Sequence, residues 1–171
     1  MCNGFSLKGV CVSLHRTKIL SDNKILTSYR LVLLANYFVG PIYADISQRF
    51  GIARGEFVVI FCLHQLGPLT AQDVCDITRH PKNSVSQALS KLVEQGYVKK
   101  KSDPEDGRRF FLHLTAKAHQ LYTKVIPAFH QREESMLSVL TPAERGQLLR
   151  LLGKLVLRND GWIQDESDDH R

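Results

Sequence analysis

The sequence predicts a mainly α-helical chain carrying one small β-hairpin, and three observations support that expectation. Apolar residues recur every three or four positions over most of the chain. Threonines and glycines stand where those runs would start and stop as helices. One stretch, 97–114, instead holds two short β-prone runs around a polar, charged turn.

The elements follow in order. From Leu20 to Phe50 the spacing of Ile25, Leu26, Tyr29, Val32, Leu33 and Tyr37 is helical, with Gly40-Pro41 expected to bend or interrupt it. Residues 51–55 read as a loop and Glu56 to Leu66 as a short apolar helix, ended by Gly67-Pro68. Thr70 can cap the next helix while Asp73 answers it three residues on, and that helix runs to about Thr78. A tight connection through His80 and Pro81 leads into a helix from Ser84 to Gln95. Val85, Leu89, Leu92 and Val93 form its apolar face and Gly96 its stop. Tyr97-Val98 and Phe110 to Leu114 read as strands flanking the turn Ser102 to Arg109. Thr115 caps a long helix through His130, with a bend at Pro127. Thr141-Pro142-Ala143-Glu144 opens a last, leucine-rich helix with a capping box and proline at the tolerated first position. Three short helices followed by a hairpin are the parts of a winged helix-turn-helix. The flanking helices carry more leucine than a small domain needs. They fit burial against a second copy, the alternative being a cap packed within one chain.

Charge is unevenly placed. Net charge is +6, yet 159–171 hold five acids against one base, leaving 22 bases and 12 acids over 1–158. A positive body fits a polyanionic partner without specifying one. The longest apolar run, Leu31 to Val39, is broken by Asn36 and followed by Gly40-Pro41, too short for a membrane span. The first residues lack the pattern of an export signal, so a cytoplasmic location and no membrane partner are expected.

Two segments carry candidate chemistry. With Val85, Leu89 and Leu92 turned to a core, the helix presents Asn83, Ser84, Gln87, Ser90 and Lys91, with Lys82 and Ser86 beside them. A helix fits the major groove of double-stranded DNA. There Gln87 can pair with adenine through two hydrogen bonds, while Lys82 and Lys91 suit phosphate. An ordinary solvated helix face is the alternative. The hairpin is the second segment: Lys99, Lys100 and Lys101 lead into Asp103-Pro104-Glu105-Asp106-Gly107-Arg108-Arg109, and of the three lysines Lys101 is nominated as a DNA contact. An arginine at such a tip can enter the minor groove. Asp106 can either orient the Arg108 guanidinium or brace the turn; a solvated loop with a charge cluster is the plain reading.

Several segments together resemble the MarR family of regulators. They are Leu69 to Val74, Ser84-Val85-Ser86, Leu92-Val93-Glu94-Gln95-Gly96-Tyr97-Val98, Asp103 to Arg109, Leu114-Thr115 and Leu140 to Glu144, in order from about residue 25 to 157. The resemblance implies a homodimer joined by its N- and C-terminal helices and bound to near-palindromic DNA, most often as a repressor. It implies that Ser84 to Lys91 enter the major groove, with Ser84 and Ser86 at the contact end. Arg108 would reach the minor groove, with Arg109 in support. It also implies a small aromatic or lipophilic effector, for which Tyr29, Phe38, Phe57 and Phe61 are nominated by location. The corresponding division is 1–22 as an extension, 23–50 and 118–158 as a helical dimerisation region, 51–117 as the DNA-binding lobe, and 159–171 as an acidic tail. Arg79-His80-Pro81-Lys82 departs from the family, which has glycine and an apolar residue in that turn.

Other chemistries find little support. Cys2, Cys11, Cys62 and Cys75 form no CxxC pair; Cys62 and Cys75 read as buried structural thiols, with a redox switch as the alternative. The histidines are dispersed, without HExxH or paired Cys/His spacing, so no metal is expected unless ligands assemble in space. No phosphate cradle, nucleophile elbow or paired-acid motif points to an enzyme, and no cofactor is expected. A winged-helix module that binds only protein is the competing function.

Overall fold

A computed structural model describes residues 18–157. After a helical turn over 18–21, the elements are α1 (Leu26–Phe50), α2 (Arg54–Leu66), α3 (Ala71–Thr78), α4 (Lys82–Glu94), β1 (Val98–Ser102), β2 (Phe110–Leu114), α5 (Ala116–Leu137) and α6 (Pro142–Leu157). The mainly helical fold with a small antiparallel hairpin is as the sequence predicts. The chain divides into two compact units, one ending at Phe129 and the other starting at His130.

The core of the first unit forms where the apolar faces of its helices meet. Phe57, Val59, Ile60 and Leu63 of α2 join Val74 of α3 and Val85, Ala88, Leu89 and Leu92 of α4. Ile42 and Ile46 of α1, Leu112 of β2, and Leu121 and Val125 of α5 belong to the same cluster. Phe57 stacks on Phe129 at 5.5 Å between ring centroids, and Tyr43 meets both rings edge-on.

Helix ends follow local chemistry. Thr70 and Asp73 form the expected box: the Thr70 N–H and hydroxyl donate to Asp73 Oδ2 at 2.8 Å, and Asp73 N–H donates back to Thr70 Oγ1 at 3.1 Å. At the end of α4, Gly96 takes φ +74°, where a side chain would be strained. Its N–H donates to the Val93 carbonyl and that of Tyr97 to Leu92, closing the helix as a Schellman motif.

Several boundaries correct the sequence reading. Helix α1 starts at Leu26 rather than Leu20, because Asn23 Oδ1 accepts the Ile25 N–H at 2.8 Å within a short turn. It then runs through Gly40-Pro41 without interruption. Both residues are exposed, where a proline is tolerated on the outer side of a helix, while Ile42 and Ile46 hold the helix by burial. Helix α4 begins at Lys82, two residues before Ser84, with Pro81 as its cap residue and the Val85 N–H donating to Pro81 O. Strand β1 extends through three lysines to Ser102 because β2 pairs with its whole length, from Val98 opposite Leu114 to Ser102 opposite Phe110. Helix α5 continues past His130 to Leu137.

In the second unit the Thr141–Glu144 box opens α6, with the Thr141 N–H and hydroxyl both donating to Glu144 Oε2 at 2.8 Å. Arg145 bridges back to Glu134 at 3.0 Å. No residue of α6 is buried, and Leu149, Leu151, Leu155, Val156 and Leu157 stand exposed. Among the described residues no helix is long and apolar enough to cross a membrane.

Candidate nucleic-acid interface

Helix α4 seats Val85, Ala88, Leu89 and Leu92 in the core, which fixes the direction of its other residues. At about 100° per residue, Asn83, Gln87, Ser90 and Glu94 point most directly away from the core. Lys82 and Ser86 lie on the flank toward the hairpin, and Ser84 and Lys91 on the flank toward α2. All seven α4 residues nominated from sequence (Lys82, Asn83, Ser84, Ser86, Gln87, Ser90, Lys91) are exposed, but they divide among three directions. Glu94 shares the outward face and was not nominated.

The hairpin forms the other wall. Leu112 N–H donates to Leu69 O at 2.8 Å, an isolated bridge that ties β2 to the segment before α3. A groove of about 400 Å³ lies between α3, α4 and the hairpin. Lys82, Ser86 and Ser90 line it from α4, and Lys100, Arg108, Arg109 and Phe110 from the hairpin. Four cations thus border one groove. The register explains which lysine is among them: Lys100 pairs opposite Leu112 and shares its face of the ribbon, whereas Lys101 pairs opposite Phe111 on the other face. The sequence reading nominated Lys101 and passed over Lys100; strand parity could have separated them once β1 was extended.

At the tip, Asp106 Oδ1 accepts the Arg108 N–H at 3.0 Å, and Asp106 O accepts the Arg109 N–H at 2.9 Å. Asp103 N–H donates to Arg109 O at 2.8 Å, and Asp103 Oδ1 accepts from Glu105 N–H. Of the two roles considered for Asp106, bracing the turn is the one drawn in these contacts. Arg108 is left exposed at the tip. Arg109 lies over the Phe111 ring at 5.2 Å, a contact that steadies its guanidinium. Asp73, at the start of α3, is held below the usual carboxylate range by the Thr70 N–H and hydroxyl, with a further contribution from the Arg109 charge.

The unusual turn between α3 and α4 has its own geometry. Arg79 adopts φ 54°, ψ 24° as the residue that ends α3, the left-handed conformation for which glycine is suited. His80 Nδ1 is buried with no hydrogen-bond partner, and His80 borders a cavity of about 20 Å³ together with Gly55, Thr78 and Ser84. That is room for one water. Ser84 therefore borders the interior on one side, which separates it from Ser86 in the groove.

The remaining candidates lie elsewhere. Phe57 is 1% exposed and closed over by Phe129, Phe38 packs beside Phe129 at 6.2 Å, and Phe61 lies near Tyr122 at 6.3 Å. Tyr29 is half-buried on α1, apart from that cluster in sequence. Cys62 is buried, which pushes its thiol above the ordinary value, and Cys75 is half-buried. No group of three or more metal-ligating side chains occurs among the described residues. Cys2, Cys11, His15 and the acidic tail lie outside the described residues.

The comparisons with known proteins agree with this geometry. The family model described as MarR family matches residues 44–109, from the end of α1 through the wing tip. The HTH-type transcriptional regulator YkoM of Bacillus subtilis (strain 168) is 31% identical over 108 residues, covering 63% of this chain and 70% of the relative. A MarR/EmrR family transcriptional regulator from Acinetobacter sp. ADP1 superposes with a TM-score of 0.69 at 29% identity, covering 78% of this chain and 94% of that one. A putative MarR family regulator from Listeria monocytogenes, solved with a 26mer DNA, shares the fold with a TM-score of 0.74 at 21% identity, covering 82% and 92%. The chain belongs to the MarR family, whose members are DNA-binding, non-enzymatic regulators of transcription built on a winged helix-turn-helix.

Proposed function

We propose that the chain acts as a homodimer on a near-palindromic site in double-stranded DNA and represses transcription there. The observation that carries this reading is the groove bordered by Lys82, Lys100, Arg108 and Arg109 beside the outward face of α4. From α4, Asn83, Ser86, Gln87 and Ser90 meet base edges in the major groove, and Ser84 approaches at the helix start. Arg108 enters the adjacent minor groove, and Arg109 supports it. Lys82 and Lys101 face phosphate, the latter from the far side of the ribbon. Residues 51–117 serve as the DNA-binding lobe, and 23–50 with 118–158 as the dimerisation region. Support for the dimer comes from exposed Ile25, Leu31, Val32 and Leu34 in the first unit and from the uncovered apolar side chains of α6 in the second. In such a dimer two copies of α4 sit about 34–36 Å apart, one turn of DNA.

A small aromatic or lipophilic effector that favours a differently spaced dimer releases the DNA by population shift. The aromatic group of Phe38, Phe57 and Phe129 supports this part, with entry requiring the Phe129 ring to swing off Phe57. Work beside DNA supports a cytoplasmic location.

Selection of bound duplexes from random DNA tests the whole reading. A recovered palindrome with half-sites one turn apart is expected, and recovery of no preferred sequence would overturn it. An Arg108→Ala variant is expected to lose affinity for that duplex; unchanged binding would remove Arg108 from the interface.

A further inference from the structure

Lys91 was nominated from sequence as a phosphate contact, yet the fold gives its charge another partner. Glu56, in the first turn of α2, is a carboxylate inside the protein: its side chain is 5% exposed. Glu56 Oε2 accepts the Ala53 N–H at 2.8 Å and so closes the start of α2. Oε1 lies 3.6 Å from Lys91 Nζ, on the flank of α4 that faces α2. A buried carboxylate is unfavourable unless charge and hydrogen bonds replace its water, and one N–H leaves the second oxygen unanswered. Lys91, whose own side chain is 63% exposed, reaches from the rim to supply that charge.

We propose that Glu56 is a positioning residue for DNA recognition, holding Lys91 against α2 so that this lysine seats α4 rather than neutralising a phosphate. The inference rests on the DNA-binding reading above and reassigns one residue within it. Its physical content is that one cation cannot fully serve two anions. While Lys91 answers Glu56, it contributes little to the release of counterions from DNA. The pair joins α2 to α4 about two turns along from Ser84, on the side away from the wing. It therefore constrains the rotation of α4 about its own axis, and that rotation decides which of Asn83, Gln87 and Ser90 meets a base edge.

The test is the salt dependence of binding to the selected duplex by the full chain and by Lys91→Met, Glu56→Gln and the double variant. Each phosphate neutralised contributes about 0.9 to the slope of log K against log salt, so removing a true phosphate partner from both subunits makes it shallower by about 1.8. Lys91→Met is expected to leave the slope within about 0.3 of the wild type. Its preference for the selected over a scrambled duplex is expected to fall about tenfold, the size of a modest loss in base readout. Glu56→Gln keeps an oxygen for the Ala53 N–H and frees Lys91, so its slope is expected to steepen. The double variant, in which neither charge is left alone, is expected to recover urea resistance relative to Lys91→Met while its preference stays reduced. A slope shallower by about 1.8 in Lys91→Met would overturn the inference and restore the phosphate role. So would a double variant no better than Lys91→Met in urea, a comparison that needs no DNA. Failure of the wild type to bind any duplex selectively would instead overturn the underlying reading, while the urea comparison would still report on the pair.

Discussion

Asp106 occupies the wing tip two residues before the arginine assigned to the minor groove, and replacing it separates geometry from charge. Its Oδ1 accepts the Arg108 N–H at 3.0 Å, and its carbonyl accepts the Arg109 N–H at 2.9 Å. Asp106→Ala removes the first bond and leaves the second. A hydrogen bond of this kind contributes about 1 kcal/mol to an ordered turn. An unbraced tip must be ordered by the DNA instead, so the loss reappears as weaker binding, about fivefold for one wing and about 30-fold for the two wings of a dimer. Asp106→Asn keeps an oxygen at the same place and deletes a negative charge that would face phosphates. It is expected to bind within about twofold of the wild type, or tighter, since the bond of about 1 kcal/mol is retained. Fluorescence anisotropy with the selected duplex at one fixed salt concentration measures all three proteins. If Asp106→Asn binds as weakly as Asp106→Ala, the carboxylate charge acts on the guanidinium and the bracing argument is wrong. If neither change matters, the wing does not need its turn.

Other outcomes follow from the packing and the caps. Leu92 is fully buried on the inner face of α4, and Leu92→Ala is expected to cost about 3 kcal/mol in urea unfolding; a loss below about 1 kcal/mol would contradict its place in the core. Arg79 is held at φ 54°, so Arg79→Gly is expected to stabilise by about 0.5–1 kcal/mol, raising the thermal midpoint by a few degrees; a lower midpoint would mean the side chain's contacts outweigh the strain. Asp73 has a folded pKa below its ordinary 3.8 because Thr70 donates to it, so its contribution is present above about pH 4 and is lost as pH falls through the folded value. Asp73→Asn is therefore expected to lower stability at neutral pH and to flatten the acid limb of a stability–pH curve. An acid limb unchanged from the wild type would argue against the cap.

What the sequence made legible was local. The Thr70–Asp73 and Thr141–Glu144 boxes and the Gly96 stop each draw on residues within a few positions, and each stands where the spacing places it. Ambiguity entered where a local preference met a tertiary one. Three consecutive lysines read only as a lead into the turn, but pairing with Phe110 to Leu114 draws them into a strand and exchanges Lys101 for Lys100 at the groove. Gly40-Pro41 reads as a break, but exposure on one side and burial of Ile42 and Ile46 on the other keep α1 continuous. Ser84 reads as a helix start, while Pro81 supplies the cap position and moves Ser84 into the first turn. The pairing of Glu56 with Lys91 joins residues far apart in the chain and rests on no motif at all.

The same contacts bear on how a change in the dimer would reach the DNA. The carbonyls just past the end of α4 are claimed by residues at the start of α5: Lys117 Nζ donates to Gln95 O at 2.8 Å, Thr115 Oγ1 to Gly96 O at 2.8 Å, and Thr115 N–H to Tyr97 O at 3.0 Å. Lys117 also rests over the Tyr97 ring at 4.3 Å, and a cation at a helix C-terminus is favoured by the helix dipole. A rotation of the first turn of α5 therefore cannot leave α4 in place without abandoning these bonds together. At the other flank the Glu56–Lys91 pair ties α4 to α2. Helix α4 is thus held at its C-terminal half from two sides, while its N-terminal turn holds Lys82 and Asn83 exposed and follows the strained Arg79 turn. With α4 held in this way, the effector of the proposed function would act by changing the spacing between two copies of α4 rather than by remodelling its surface, and affinity would fall because both half-sites could no longer be met at once.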